Sequence, residues 1–111
     1  MQYYNEEKMK NIRLRLEQEI LSWPGVTTKK MYGCPCYKYS NKLFAFLVTN
    51  GVVLTKASEQ DKVKLSKEFI LKPFQAATRT MKGWPQIPIE EASDVQKILS
   101  FIKKSYAHSQ E

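Results

Sequence analysis

The stretch KKMYGCPCYKYSNKLFAFLVTNGVVLTK, residues 29–56, decides the fold class of this 111-residue chain. It is rich in β-branched and aromatic residues, and the short polar breaks within it are typical of tight turns. We predict reversals at Asn41-Lys42 and at Asn50-Gly51, because Asn-Gly favours the positive φ angles of a two-residue hairpin turn. The continuously apolar run 43–49 is typical of a strand that is covered on both faces. Together with residues 26–32, the stretch predicts an antiparallel meander of about four strands.

Three segments outside the meander show helical periodicity. Apolar residues spaced by three and four predict helices over about Asn5–Ser22, Glu59–Phe69 and Asp94–Tyr106. Residues 73–93 contain three prolines and one glycine, so we expect an irregular segment in which only QIPI, residues 86–89, forms an edge strand. This order predicts one domain over residues 1–111 of the α+β class, a two-layer sandwich of four to five antiparallel strands and three helices.

The formal net charge of +7 is concentrated in the middle of the chain. Eleven of the 18 Lys and Arg residues lie between Lys29 and Lys82, where only three acidic residues occur. A positive excess of this kind attracts phosphate backbones, which makes nucleic acid one candidate partner. The simpler interpretation is a solvated lysine surface.

The segment TRTMKGWP, residues 78–85, is the most distinctive polar and aromatic cluster. Arg79, Lys82 and Trp84 are candidates for binding an anion or stacking on a base, and we add Lys29 and Lys30 as further candidate binding residues. The alternative is structural, with Trp84 as a core anchor and the adjacent glycine as a bend.

Cys34 and Cys36 are the candidate residues for redox or metal chemistry. A closed zinc site needs four ligands, and the only histidine, His108, lies in a C-terminal tail that we expect to fray, so we predict no metal site. Thioredoxin-like motifs space two cysteines by two residues at a helix N-terminus, whereas strands flank this pair. We therefore interpret the cysteines as small apolar residues at a turn and strand start, with thiol-based redox or metal binding as the alternative.

No catalytic set is recognisable elsewhere, because the glycines are scattered and the single histidine has no candidate partner. We predict a non-enzymatic protein without a cofactor that binds a protein or a nucleic acid. A homodimer is a further alternative, since a strand carrying Tyr37 and Tyr39 at a sheet edge would pair two chains. Neither a signal peptide nor an apolar run of about 18 residues is present, which predicts no membrane span and a cytoplasmic location.

Three short motifs add a resemblance to a known family. They are Met31-Tyr32-Gly33, then Lys42-Leu43-Phe44-Ala45, and finally Met81-Lys82-Gly83-Trp84 with Ile87-Pro88 before the last helix. In this order the motifs resemble the N-terminal domain of the TfoX/Sxy family over nearly the whole chain, and the YjbR-like family is a second, weaker match. TfoX proteins regulate competence genes and are thought to act with transcription factors, so the resemblance implies an α+β sandwich with a regulatory, non-enzymatic role. We expect a stand-alone domain, without that family's helical C-terminal domain.

Overall fold

The computed structural model describes residues 2–111, which form three helices and one six-stranded sheet. The helices are α1 (Glu6–Ile20), α2 (Glu59–Glu68) and α3 (Asp94–His108). The strands are β1 (Val26–Met31), β2 (Cys34–Tyr39), β3 (Lys42–Val48), β4 (Gly51–Leu54), β5 (Lys72–Ala76) and β6 (Arg79–Pro88). Neighbouring strands are antiparallel, in the order β1-β2-β3-β4-β6-β5. The α+β class is confirmed, and the sheet has more strands than the four to five that we predicted.

Helices α1 and α3 pack on one face of the sheet. Tyr37 in β2 is fully buried, and its hydroxyl donates a hydrogen bond to the Glu17 carboxylate in α1. Tyr106 in α3 lies edge-on to Phe44 in β3, with 5.4 Å between ring centroids. Because side chains alternate along a strand, Cys36, next to Tyr37, projects from the opposite face.

Both predicted reversals lie one residue earlier than expected. The β2–β3 hairpin turns at Ser40-Asn41, whose φ angles are 48° and 67°, and the β3–β4 hairpin turns at Thr49-Asn50. Gly51 has no positive φ angle and pairs with Val48 as the first residue of β4. Asparagine adopts the left-handed conformation at both turns, because its short polar side chain tolerates that region better than most.

The segment predicted to be irregular instead forms the β5–β6 hairpin. β6 has ten residues and lies between β4 and β5, so Gln86, Ile87 and Pro88 of QIPI belong to an interior strand and not to an edge. Pro73 faces Pro85, and the register shifts directly after this pair. The prolines therefore stand where the hydrogen-bond ladder is already interrupted, and the strands continue on either side.

Two further expectations are wrong. β2 lies between β1 and β3, so the strand that carries Tyr37 and Tyr39 is not an edge that would pair two chains. The C-terminal tail does not fray at its start, since α3 continues to His108 and Ser109 is buried. Across residues 2–111, every helix is too short or too polar to cross a membrane.

Candidate functional site

The face of the sheet that is turned away from α1 and α3 carries an apolar cleft of about 430 Å³. Five of its lining residues are aromatic: Tyr3, Tyr32, Phe46, Phe74 and Trp84. Four others carry sulfur: Met31, Cys34, Cys36 and Met81. Arg79 is the one lining residue with a formal charge.

The β5–β6 hairpin supplies one wall of the cleft. The Phe74 ring lies edge-on to Phe46 with 5.0 Å between centroids, and Trp84 contacts the same Phe46 ring at 5.8 Å. The Trp84 and Phe74 rings are stacked, 6.3 Å apart with 30° between their planes. The register shift in this hairpin accounts for the wall, because an extra stretch of β6 bends the strand and increases its twist. Tyr3, which also lines the cleft, packs on Phe74 with 5.7 Å between ring centroids.

The opposite side of the cleft is formed by the cysteine strand. Cys34 and Cys36 are both 3% exposed and unbridged, and they share one face of β2 because they are two residues apart. The predicted position at a strand start is confirmed, since Cys34 is the first residue of β2 and pairs with Met31 across the hairpin. The Cys36 thiol donates a 3.4 Å hydrogen bond to the backbone carbonyl of Cys34.

Both thiols are held in the neutral form at physiological pH. Burial raises the pKa of the Cys34 thiol to about 11, and the neighbouring Cys36 adds to the rise. Burial also raises the pKa of Cys36, although a backbone hydrogen bond from Met31 and the charge of Lys38 oppose it. Redox-active cysteines have lowered pKa values, so this environment is opposite to the one that a reactive thiol needs.

The candidate binding residues lie at three separate places on the protein. Arg79, Trp84 and both cysteines line the same cleft, as a ligand site requires. Lys29 and Lys30 are exposed on β1, the edge strand, outside the cleft lining. Lys82 lies in a second, shallower depression of about 260 Å³ together with Lys62 and Lys72.

Trp84 combines the two roles that the sequence left as alternatives. It is half-buried and packs against the core, and its ring also lines the cleft. Arg79, by contrast, is exposed, and no carboxylate among residues 2–111 lies within ion-pair distance of it. The guanidinium is therefore available to an anion that enters the cleft.

Sequence reasoning missed most of the cleft walls, which come from the N-terminal segment, the β1–β2 turn, β3 and the β5–β6 hairpin. One signal pointed towards them: the continuously apolar run 43–49 predicts cover on both faces, and Phe46 on the second face is covered by Phe74 and Trp84. The covering residues themselves were not predicted, because they lie in the β5–β6 hairpin, a segment that was expected to be irregular.

No family model, no curated protein and no solved structure matches this chain. The TfoX/Sxy resemblance therefore stays a prediction from short motifs. Five of the motif residues line the cleft: Met31, Tyr32, Leu43, Met81 and Trp84.

Proposed function

We propose that this chain is a non-catalytic binding module whose cleft takes a flat, apolar organic molecule with one acidic group. The observation that supports this most directly is a largely aromatic lining combined with a single charged side chain, that of Arg79. The cleft volume of about 430 Å³ lies within the usual range for small-molecule sites, which runs from about 300 to 1,000 Å³.

The two parts of the ligand follow from the two kinds of lining. The stacked rings of Phe74 and Trp84 offer a wall for a flat apolar body, because aromatic groups prefer offset-stacked or edge-on contacts. Arg79 is exposed at the start of β6, and its planar guanidinium matches a carboxylate or sulfonate through two parallel hydrogen bonds. A regulatory role agrees with the TfoX/Sxy resemblance, and two unbridged cysteines favour a reducing location such as the cytoplasm.

The test uses two fluorescent probes with similar apolar bodies. One is 8-anilinonaphthalene-1-sulfonate, which carries a sulfonate, and the other is N-phenyl-1-naphthylamine, which is uncharged. We expect saturable binding of both probes by the folded chain. The Arg79→Gln variant should weaken binding of the sulfonate probe by about 5-fold, the usual size of one half-exposed ion pair, and leave the uncharged probe unchanged.

Lys82→Gln is the matched control, because it removes one positive charge from the same strand outside the cleft. An equal loss of sulfonate-probe binding in both variants would show that binding depends only on the net charge of the protein, not on Arg79. Absence of saturable binding to the native chain would refute the small-molecule function.

A nucleic acid is the second candidate ligand, favoured by one arrangement on the edge strand. Lys29 and Lys30 are exposed three and two residues before Tyr32, which is 86% exposed at the β1–β2 turn. Cations beside an exposed aromatic ring suit a single-stranded nucleic acid, with stacking of a base on the ring. Binding of a labelled oligonucleotide should then fall steeply with salt and be weakened by Tyr32→Ala. A titration without association at low salt would exclude this second function and leave the cleft proposal intact.

A further inference from the structure

We propose that Cys34, Cys36 and Met31 form a binding site for a soft, monovalent metal ion of the Cu(I) type, at the β1–β2 end of the cleft. This inference goes beyond the proposed function, which concerns Arg79 and the aromatic rings of the cleft. The three residues supply the softest donor atoms that proteins have, two thiols and one thioether.

The hairpin places the three sulfur-bearing side chains next to one another. Cys34 and Cys36 are two residues apart in β2 and therefore share a face. Met31 in β1 is the partner of Cys34 in the antiparallel register, so its side chain projects from that same face. All three residues line the same cleft, which is open to a small ion.

The spacing of the cysteines favours a bridging ion over a disulfide. An extended strand separates the Cα atoms of residues i and i+2 by about 6.7 Å, at the upper end of the range of about 4.4–6.8 Å that disulfides accept. A metal ion joins two sulfurs through two bonds of about 2.3 Å each, more than twice the length of an S–S bond. Cys34 and Cys36 are both free thiols, as this spacing along an extended strand favours.

The donor set selects the class of metal. Thiolate and thioether sulfur favour Cu(I), whereas structural zinc is held by four nitrogen, sulfur or oxygen ligands. Within residues 2–111, no three His, Cys, Asp or Glu side chains are grouped so as to hold a metal. The only histidine, His108, instead contacts Glu111 and Asp61 on α2. The two thiols and the thioether can therefore complete the coordination of Cu(I), which takes two or three ligands and accepts methionine.

Charge and protons balance without a redox step. The ion replaces the two thiol protons, so two thiols and one monovalent cation give a bis-thiolate complex of charge −1 and two released protons. Lys38 lies two residues after Cys36 in β2, and its positive charge acts on the Cys36 thiol. This ammonium group offsets the charge of the complex. Because binding of the ion releases two protons, metal binding should depend steeply on pH.

The test is a titration of the full-length, reduced chain with Cu(I) under anaerobic conditions, in competition with bicinchoninate. We expect one ion per chain and at least about 100-fold weaker binding by the Cys34→Ala/Cys36→Ala variant. Met31→Leu, which keeps the side-chain volume, should weaken binding by about 10-fold, and Met81→Leu on the opposite wall should not. Below the thiol pKa values, displacement of two protons should raise the apparent affinity by about 100-fold per pH unit.

X-ray absorption of the loaded wild-type chain provides a readout that does not depend on the variants folding. A shell of two or three sulfur atoms is the expected result, and a shell of nitrogen or oxygen atoms would overturn the site. So would equal Cu(I) affinity of the wild type and a folded double-alanine variant, or preferential binding of Zn(II). Neither result affects the Arg79 probe experiment, which uses metal-free protein.

Discussion

The Tyr37 hydroxyl donates a 2.7 Å hydrogen bond to Oε2 of Glu17 and thereby joins β2 to α1. The other carboxylate oxygen of Glu17 accepts a 3.0 Å hydrogen bond from Arg13. Within residues 2–111, every buried side-chain nitrogen or oxygen atom has a partner. The buried polar side chains on the helix-covered face of the sheet therefore all have hydrogen-bond partners. The two faces of β2 differ, because Tyr37 packs in the core, whereas Cys34 and Cys36 line the cleft.

Replacement of Tyr37 by Phe should lower the free energy of unfolding by about 1–3 kcal/mol, because the buried hydrogen bond to a charged carboxylate is lost. Urea denaturation followed by circular dichroism measures the change. Tyr32→Phe is the control, since Tyr32 is exposed and should change stability very little. Equal stability of Y37F and the wild type would mean that the hydrogen bond contributes nothing net.

The same pair predicts a loss of stability in alkali. Burial and the adjacent Glu17 carboxylate raise the pKa of Tyr37 above its ordinary value of 10.0. A raised folded-state pKa gives stability that is complete below the unfolded-state pKa and is lost as pH rises above it. The urea midpoint of the wild type should therefore fall above pH 10, and it should fall less steeply in Y37F. Parallel curves for the two proteins would contradict this account.

Asp61 and His108 predict a second pH dependence, at the contact between the start of α2 and the end of α3. Hydrogen bonds with Glu111 and Asp61 raise the pKa of His108 above 6.5. Burial acts to raise the pKa of Asp61, but the hydrogen bonds from Ser58 and the positive groups opposite outweigh it and lower that pKa. The His108 contribution is thus complete below pH 6.5 and lost as pH rises through the folded-state pKa, and the Asp61 contribution is lost as pH falls below its usual value of 3.8.

Proton NMR measures this directly, because His108 is the only histidine in the chain. Its pKa should lie above 6.5 in the wild type and fall in the Asp61→Asn variant. Glu59→Gln is the control, since Glu59 pairs with Lys62 on the exposed side of α2. A His108 pKa at or below 6.5 would show that the contact does not persist in solution.

The meander was predictable because its signals are local. Asparagine at residues 41 and 50 marks two turns, and alternation around Tyr37 separates the core face from the cysteine face. The β5–β6 hairpin was not predictable in the same way. Its prolines argue against regular strands, and they are tolerated only because the register shift beside Pro73 and Pro85 interrupts the ladder.

For the cleft, too, the individual residues were predictable from local sequence and their arrangement was not. The sequence singled out Arg79, Trp84 and the cysteines as separate candidates, and nothing local showed that they line one surface. Their convergence depends on the packing of Phe74 against Phe46, across 28 positions of the chain. Long-range contacts of this kind have no signature in a single sequence.

Ala77 predicts a stabilising substitution. It occupies the β5–β6 turn with a φ angle of 53°, a conformation that costs a residue with a Cβ atom about 1 kcal/mol relative to glycine. Ala77→Gly should therefore raise the free energy of unfolding by up to about 1 kcal/mol in urea denaturation. Ala76→Gly is the matched control and should instead destabilise the chain, because Ala76 lies in β5. If both variants lose stability alike, the turn conformation is not the one described.

The thiols predict slow alkylation in the native state. A pKa of about 11 leaves Cys34 with on the order of 100-fold less thiolate near pH 7.5 than a free cysteine, and burial further limits access. Iodoacetamide should therefore react at least 100-fold more slowly with the folded chain than with the same chain in urea. Cu(I) bound at the proposed site should slow the reaction further, since the sulfur lone pairs are then engaged. Rapid alkylation of the native, metal-free chain would instead favour the redox alternative, because that role needs an accessible thiolate.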